Sequence, residues 1–350
     1  MDFYKTTLIA TTAAMLSQSL YAADNTLTAH RLQQGTVSID GVMDGVWQQA
    51  TPLNITVDEL PYKPSNGYKG IKESDVELRA LFDDEYLYMQ VQWNDPTQSL
   101  MRFPWVKQDD GSWKQRKNLD STGHDNTYYE DKFAFLWNIS EKGFKKKGCD
   151  RSCHLAENGK VDDIKDSSAG RHFTRNPGET IDIWHWKSAR TNPVHQVDDQ
   201  YIDHARNENK GWGRHSDEKT GGGYKNNRNK EKTAPAWMPE KMDPLSAFWV
   251  MPDNRTAFKD SFKTGDMIGG IAAEAATGSR GDIHAYGRWK EGVWTLELKR
   301  KLITDHPKSR VQDVQFDNLD KPYLFGVSVF DNSQINHIFH KKALRLTFAR

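Results

Sequence analysis

The chain has few cysteines, no excess of charge and little continuous apolar sequence. Its 350 residues include only 2 cysteines, and 48 basic residues balance 48 acidic ones, so the formal net charge is zero. A chain without surplus basic charge does not favour general binding to nucleic acid or to an anionic surface. No run of about 20 apolar residues follows the N-terminal segment, which excludes a multispanning membrane protein.

Aromatic residues are abundant in a chain that is otherwise polar. Hydrophobic residues make up 36% of the sequence and charged residues 27%, yet there are 12 tryptophans and 15 phenylalanines. Disordered chains are poor in aromatic residues, so this composition argues against disorder. It favours a β-rich core with long polar loops.

The N-terminus has the pattern of a secretory signal. Lys5 precedes a short apolar stretch, residues 7–16, and small residues follow at Ala22 and Ala23. The stretch is too short to span a bilayer comfortably, so cleavage after Ala22 or Ala23 is expected, with an uncleaved anchor as the alternative. We therefore expect residues 1–23 to be a signal peptide and the mature chain, 24–350, to be periplasmic.

Alternation of apolar and polar residues indicates strands. The period of two predicts strands within residues 76–82, 87–93, 133–139, 294–298, 325–329 and 343–348, and a short strand followed by turns within 37–47. Long amphipathic helices are hard to find. The sequence thus predicts an all-β fold, a single β-sandwich domain. A long, mostly irregular insertion is expected at about 144–248, where glycines and polar runs interrupt the pattern.

The two cysteines belong to a sequence motif that indicates a chemical function. Residues 147–157 read KGCDRSCHLAE, so three residues separate Cys149 from Cys153 and His154 follows directly. The usual c-type haem attachment is Cys-x-x-Cys-His, in which two thioethers anchor the haem and the histidine binds iron. Here one extra residue separates the cysteines. A local disulfide is the alternative, whereas a zinc site would need two further ligands.

Several segments resemble a known family. They are IDGVMDGVW, DVELRALFDDEYLYMQVQWNDPT, GCDRSCH, DIWHWKSARTNP, GVWTLELKRKL and GVSVFDN. Together they resemble the haem-binding domain of the ethylbenzene dehydrogenase γ-subunit type, also described as the cytochrome c-552/DMSO reductase-like haem-binding domain. The opening and the first hairpin are also similar to family 9 carbohydrate-binding modules, a sandwich of the CBM9/DOMON type. The resemblance implies a β-sandwich that holds one haem at its end and passes electrons.

The resemblance also implies where the iron ligands lie. It places one ligand in the central loop, where His154 is the candidate, and the other just before the final strand. There the sequence reads FDNSQINHIFHKKALRLTF, which makes His337 the preferred second ligand, with His340 and Lys341 as alternatives. Methionines at 238, 242 and 251 remain less favoured. Some relatives hold non-covalent haem b, but the two cysteines point to one covalent haem c.

A cluster in the middle of the chain is a candidate pocket wall. Trp184 and Trp186 are expected to line the haem, and Lys187 and Arg190 to pair with its propionates through charge-assisted hydrogen bonds. The alternative places the indoles in the sandwich core and the cations on a solvated face. His185 is interpreted as a structural group rather than as a ligand.

These observations favour an exported monohaem c-type cytochrome that relays single electrons and is not itself an enzyme. Its redox partner would be a membrane quinol dehydrogenase, another cytochrome or a molybdenum enzyme, and no nucleic acid is expected. The alternatives are a carbohydrate-binding module without haem, a b-type haem subunit of a molybdenum oxidoreductase, and a disulfide-stapled interaction domain.

Overall fold

The structure is a computed structural model that describes residues 25–61, 70–117, 127–152, 160–161, 164–165, 172–206 and 212–349. The predicted signal peptide, residues 1–23, lies outside the described residues, as do Cys153 and His154. Cys149 lies within them, in the 3₁₀ turn Gly148–Arg151.

One large sheet of 13 strands forms the body of the protein. Its strands in chain order are β1 (Thr26–Arg31), β2 (Leu53–Val57), β3 (Ser74–Phe82), β4 (Tyr86–Asn94), β5 (Lys132–Asn138), β6 (Ile181–Lys187), β7 (Asp198–Ile202), β8 (Arg214–Ser216), β9 (His284–Lys290), β10 (Val293–Lys301), β11 (Tyr323–Phe330), β12 (Ile338–Phe339) and β13 (Leu344–Phe348).

The sheet folds over on itself to make a sandwich. The strand order is β8-β7-β6-β5-β11-β13-β1-β3-β4-β10-β9, with β2 paired to β3 and β12 paired to β11. Strand β1 runs parallel to both of its neighbours, β13 and β3, and joins the two halves of the sheet. The other pairs in this sheet are antiparallel, as in the hairpin of β3 and β4.

An aromatic core fills the space between the two halves. Trp93 and Trp294 come from one half, and Trp186 comes from the other. The centroid of the Trp186 ring lies 5.0 Å from that of Trp294 and 5.9 Å from that of Trp93. Indole rings bury a large apolar area, so this contact contributes to the hydrophobic driving force that closes the sandwich.

Shorter elements fill the connections. The α-helices are Phe144–Lys147 and Ser309–Gln312, and the 3₁₀ helices are Gly45–Gln49, Gly148–Arg151, Asn192–Val194, Pro244–Ala247, Pro252–Asn254 and Ser279–Gly281. Short strands lie at Trp105–Lys107, Trp113–Gln115, Lys160–Val161, Ile164–Lys165, Gly221–Gly222, Lys225–Asn226, Trp237–Met238, Trp249–Val250, Thr256–Ala257, Met267–Ile268, Ile271–Ala272 and Ala276–Thr277. Among the described residues, no helix is long and apolar enough to cross a membrane.

The all-β sandwich predicted from the sequence is confirmed, as are the strands that alternate most clearly. The strand expected within residues 37–47 is wrong, because that segment is irregular and ends in the helix Gly45–Gln49; the N-terminal strand is β1 instead. The predicted insertion at about 144–248 is interrupted by β6, β7 and β8, which belong to the main sheet. Alternation with exposed residues does not predict β6 from the sequence, because every residue of this strand is buried.

Candidate functional site

The half of the sheet that contains β5, β6 and β11 is apolar on both faces. The inner face points into the aromatic core, whereas a second group of buried side chains lies on the outer face. We call this group the outer apolar cluster; it comprises Ala134, Leu136, Phe144, Ile181, Ile183, Ile202, Phe330 and Phe339. A sheet face with this much apolar surface has to be covered.

The turn that carries Cys149 packs beside this cluster. The helix Phe144–Lys147 inserts the fully buried ring of Phe144 into it, and the turn Gly148–Arg151 follows directly. Gly148 has a φ of +57°, and a Cβ atom there would lie 3.0 to 3.2 Å from the backbone of Lys342 and Ala343. The cysteine turn therefore lies directly against the segment that precedes the last strand.

His337 belongs to the loop between β11 and β12. Its side chain is 7% exposed, and its ring packs against Phe330 with a centroid distance of 4.4 Å. The Nδ1 atom lies 2.8 Å from the carbonyl oxygen of Ile335. A carbonyl oxygen only accepts hydrogen bonds, so Nδ1 carries the proton and Nε2 carries the lone pair. This is the tautomer in which a neutral imidazole binds a metal through Nε2.

The two alternative ligands, His340 and Lys341, are more exposed than His337. The Nδ1 atom of His340 donates to the carbonyl oxygen of Lys342 over 2.8 Å, which fixes the same tautomer on a half-buried ring. The side chain of Lys341 is 70% exposed and forms an ion pair with Glu59 at 2.8 Å. Of these three predicted residues, His337 alone is buried next to the outer apolar cluster.

A buried lysine holds the loop of His337 in place. Lys132 is 2% exposed, and its Nζ atom donates to the carbonyl oxygen of Gln334 over 3.0 Å. The same atom lies 4.0 Å from the ring centroid of Phe330, in the range of a cation–π contact. Burial lowers the pKa of Lys132 well below its usual range.

His185 also packs against Phe330, with a centroid distance of 5.5 Å, and it is only 5% exposed. The Nη2 atom of Arg214 donates to its Nδ1 atom over 2.7 Å. A guanidinium has no acceptor, so Nδ1 accepts and Nε2 is the protonated nitrogen. Nε2 is buried and has no hydrogen-bond partner among the described residues. Burial, followed by the positive charges of Lys187 and Arg214, lowers the pKa of His185 well below its usual range.

The predicted partners of the propionates are already paired within the chain. Lys187 forms an ion pair with Asp198, and Arg190 forms one with the fully buried Glu130. Although burial alone would raise it, the charges of Lys187 and Arg280 hold the pKa of Asp198 well below its usual range. The direct contacts of both cations are therefore occupied within the chain.

The two predicted aromatic residues lie in the sandwich core. Trp184 and Trp186 are each 1% exposed and belong to the inner face of β6, whereas Ile183 belongs to the outer apolar cluster. Trp184 packs against Trp137 with a centroid distance of 4.9 Å. The structure thus separates these indoles from the cysteine turn by the thickness of the sheet. Their assignment as pocket lining stays a prediction.

Sequence reasoning missed three residues that shape this face. Lys132 and Arg214 were not singled out, and His185 was treated as a structural group. The signal that could have found His185 is its position within β6, where polar residues occur in a strand that is buried along its whole length. Buried polar side chains of this kind are expected to have specific partners.

The fold and the site define a β-sandwich protein with a buried apolar and cationic face on one of its sheets. The family model described as ethylbenzene dehydrogenase matches residues 44–342. This match covers most of the chain, so the chain belongs to the ethylbenzene dehydrogenase family, as the resemblance in the sequence indicated.

Other comparisons give weaker similarities. A search of curated proteins gives no significant match. The chain is similar to a family 9 carbohydrate-binding module from Caldicellulosiruptor kristjanssonii in complex with cellotriose, with 10% identity, a TM-score of 0.31 and coverage of 93% of this chain and 95% of that chain. The module in complex with glucose gives 8% identity, a TM-score of 0.30 and coverage of 93% and 94%. Similarities at this level do not indicate a function.

Proposed function

We propose that the protein is an exported monohaem c-type cytochrome that relays single electrons between redox partners. The observation that carries the proposal is the convergence of two distant segments on the outer apolar cluster. The turn containing Cys149 lies against Lys342 and Ala343, and His337, a few residues earlier, packs on Phe330 of the same cluster. These are the two segments that the resemblance assigns to haem ligation.

The described residues fit a haem in two respects. A porphyrin has an apolar ring, for which the outer apolar cluster offers buried aliphatic and aromatic side chains. It also carries two acidic substituents, for which the protonated Nε2 atom of His185 is a donor without a partner in the described part of the chain. The guanidinium groups of Arg214 and Arg190 add positive potential around that imidazole. A buried unsatisfied donor in a positive environment favours an anionic group.

Some residues of the chain would bind the haem, and others would orient the binding residues. His337 would offer the Nε2 lone pair to iron, because its Nδ1 proton is fixed on the carbonyl of Ile335. Lys132 would hold that loop through its bond to Gln334. By the sequence motif, Cys149 and Cys153 would attach the haem covalently. His154 would supply the other iron ligand. When bound, haem supplies an iron that exchanges one electron.

Compartment, attachment and partner are part of the same proposal. An N-terminal signal pattern supports export, and the cysteine pair supports haem c, whereas family membership supports haem in general. A membrane quinol dehydrogenase, another cytochrome or a molybdenum enzyme would be the redox partner. The second candidate is a subunit with non-covalent haem b in a molybdenum oxidoreductase complex, which is favoured if the extra residue between the cysteines prevents attachment.

Denaturing gel electrophoresis with haem-peroxidase staining tests covalent attachment. The wild-type chain, made in an exporting host with a c-type maturation system, should give a stained band near the mature mass. The double variant Cys149→Ala/Cys153→Ala should lose the stain. Ser152→Ala is the matched control in the same turn, since the Ser152 hydroxyl is buried and has no partner among the described residues; it should keep the stain.

Three other results would contradict parts of the proposal. Haem that is extracted by acid-acetone and leaves no stained band indicates haem b. An intact mass lower than that of the reduced chain by only two hydrogen atoms indicates a disulfide. A purified protein without a Soret band that shifts on reduction is not a cytochrome at all.

A further inference from the structure

Three aspartates meet where strands from both halves of the sandwich end. Asp95 follows β4, Asp131 precedes β5, and Asp331 follows β11. One carboxylate oxygen from each lies within 4.8 Å of the others. All three side chains are buried, and Asp95 and Asp131 are both 0% exposed.

One carboxylate oxygen of this cluster accepts no hydrogen bond from the described residues. Asp131 accepts from the backbone nitrogens of Ser99 at 2.7 Å and Asn332 at 2.9 Å. The Oδ1 atom of Asp95 accepts from the backbone nitrogen of Thr97 at 3.0 Å. Its Oδ2 atom is buried and has no hydrogen-bond partner among the described residues.

Among the described residues, neither Asp95 nor Asp131 forms an ion pair with a lysine or an arginine, and no cation is among the largest influences on the pKa of either group. The strongest electrostatic interaction of each with another side chain is repulsion from a neighbouring aspartate. Burying a carboxylate without a cation is costly, and bringing a second carboxylate close increases the cost. An arrangement of this kind persists when a cation offsets the repulsion.

We propose that Asp95, Asp131 and Asp331 bind a calcium ion. The donors are all oxygen atoms, which suits a hard divalent cation, and neither cysteine nor histidine takes part, which argues against zinc or a softer metal. The hydroxyl of Thr97 adds a neutral oxygen, 3.4 Å from Asp95 Oδ1 and 3.5 Å from Asp331 Oδ1. Backbone carbonyls and water would complete the six to eight ligands that calcium takes.

The position of the site gives the ion a structural role. Strand β4 belongs to one half of the sandwich, and β5 and β11 belong to the other. An ion held by residues at the ends of all three would fasten the two halves together. It would also fix the start of the loop that continues through Asn332 to His337. The proposal does not depend on haem, because none of these three aspartates belongs to the outer apolar cluster.

Metal analysis and thermal unfolding of the full chain as purified test the proposal. After purification without chelator, elemental analysis should find about one calcium per chain. EDTA should lower the Tm, and added calcium should restore it, with a shift of about 5 °C when free calcium is about 100 times its Kd. Magnesium at the same concentration should restore less. A chain without stoichiometric divalent metal, and with the same Tm in EDTA and in calcium, would overturn the proposal and indicate a shared proton instead. Full restoration by magnesium would overturn the choice of calcium.

Variants locate the ion. Asp95→Asn and Asp131→Asn should both abolish the calcium-dependent shift in Tm. Glu297→Gln is the matched control: Glu297 is also 0% exposed, but its carboxylate accepts from the backbone nitrogens of Asp40 and Gly41 and from Trp47 Nε1. It should lower the Tm and keep the shift. A shift that survives in Asp95→Asn places the ion elsewhere and overturns the proposal, even if Asp131→Asn fails to fold.

Discussion

The imidazoles of His185 and His337 pack against the same ring, that of Phe330, and their Nδ1 atoms have opposite hydrogen-bonding roles. In His337, Nδ1 donates to a backbone carbonyl, so Nε2 carries the lone pair. In His185, Nδ1 accepts from Arg214, so Nε2 carries the proton. The two imidazoles therefore differ at Nε2, which carries a lone pair in His337 and a proton in His185.

His185 should make the stability of the haem-free chain depend on pH. Its pKa is lowered in the folded state, so below about pH 6.5 the unfolded chain binds a proton that the folded chain does not. Stability should therefore fall as the pH falls below that value. The loss should develop as the pH falls from about 7 towards 5. Urea unfolding at several pH values should show that contribution in the wild type and not in His185→Gln, whose amide can still accept from Arg214. Equal pH dependence in both proteins would show that the pKa of His185 is not lowered in the folded chain.

Replacement of His337 should change the iron without removing the haem. His337→Ala should open one coordination position and give a high-spin haem that binds carbon monoxide. His337→Met should keep the haem low-spin and raise its potential, because a His/Met ligand pair gives a higher potential than two histidines. Optical and electron paramagnetic resonance spectra, with redox titration, measure these changes.

His340→Ala is the control for that experiment, because His340 has the same tautomer but is less buried. It should leave the spin state unchanged. If His340→Ala changes the spectrum and His337→Ala does not, His340 is the ligand. If neither does, Lys341 or a methionine binds the iron.

A methyl group at Gly287 should disturb the aromatic core. The Cβ atom of an alanine there would lie 2.5 Å from Cζ2 of Trp186, which is 1% exposed and packs against Trp294. Overpacking of a well-packed core costs about 1 to 3 kcal/mol, so Gly287→Ala should lower the free energy of unfolding by about 2 kcal/mol. Gly45→Ala has open space around its Cβ atom and should change it by less than about 0.5 kcal/mol. Equal effects in chemical denaturation would refute the predicted clash.

The buried guanidinium of Arg300 should be essential for stability. It is 1% exposed and lies 3.9 Å from Asp182 and 3.6 Å from Asp313. Arg300→Leu leaves these buried carboxylates without their cation, which should destabilise the chain by about 3 to 5 kcal/mol. In the exposed pair of Arg310 and Asp317, Arg310→Leu should cost less than about 1 kcal/mol. Thermal and urea unfolding compare the two, and a small effect of Arg300→Leu would show that these carboxylates are protonated in the folded chain.

The sequence by itself determined the fold class, because strands with one exposed face alternate visibly, as in β3 and β13. It also determined the family and singled out the cysteine motif, since both depend on local runs of residues. It did not reveal which face of β6 is the inner one. Both faces are buried, so a period of two cannot tell Trp184 and Trp186 from Ile183 and His185.

Only the tertiary structure decided which residues meet. Lys187 and Arg190 have the chemistry to bind propionates, but the fold brings Asp198 and Glu130 to them first. The carboxylate of Asp131 reaches the backbone of Asn332 across 201 positions of sequence. Hydrogen bonds fix the tautomers of His185 and His337, and the donor to His185 comes from another strand. Pairings between distant residues depend on strand order and register, which composition and local spacing do not contain.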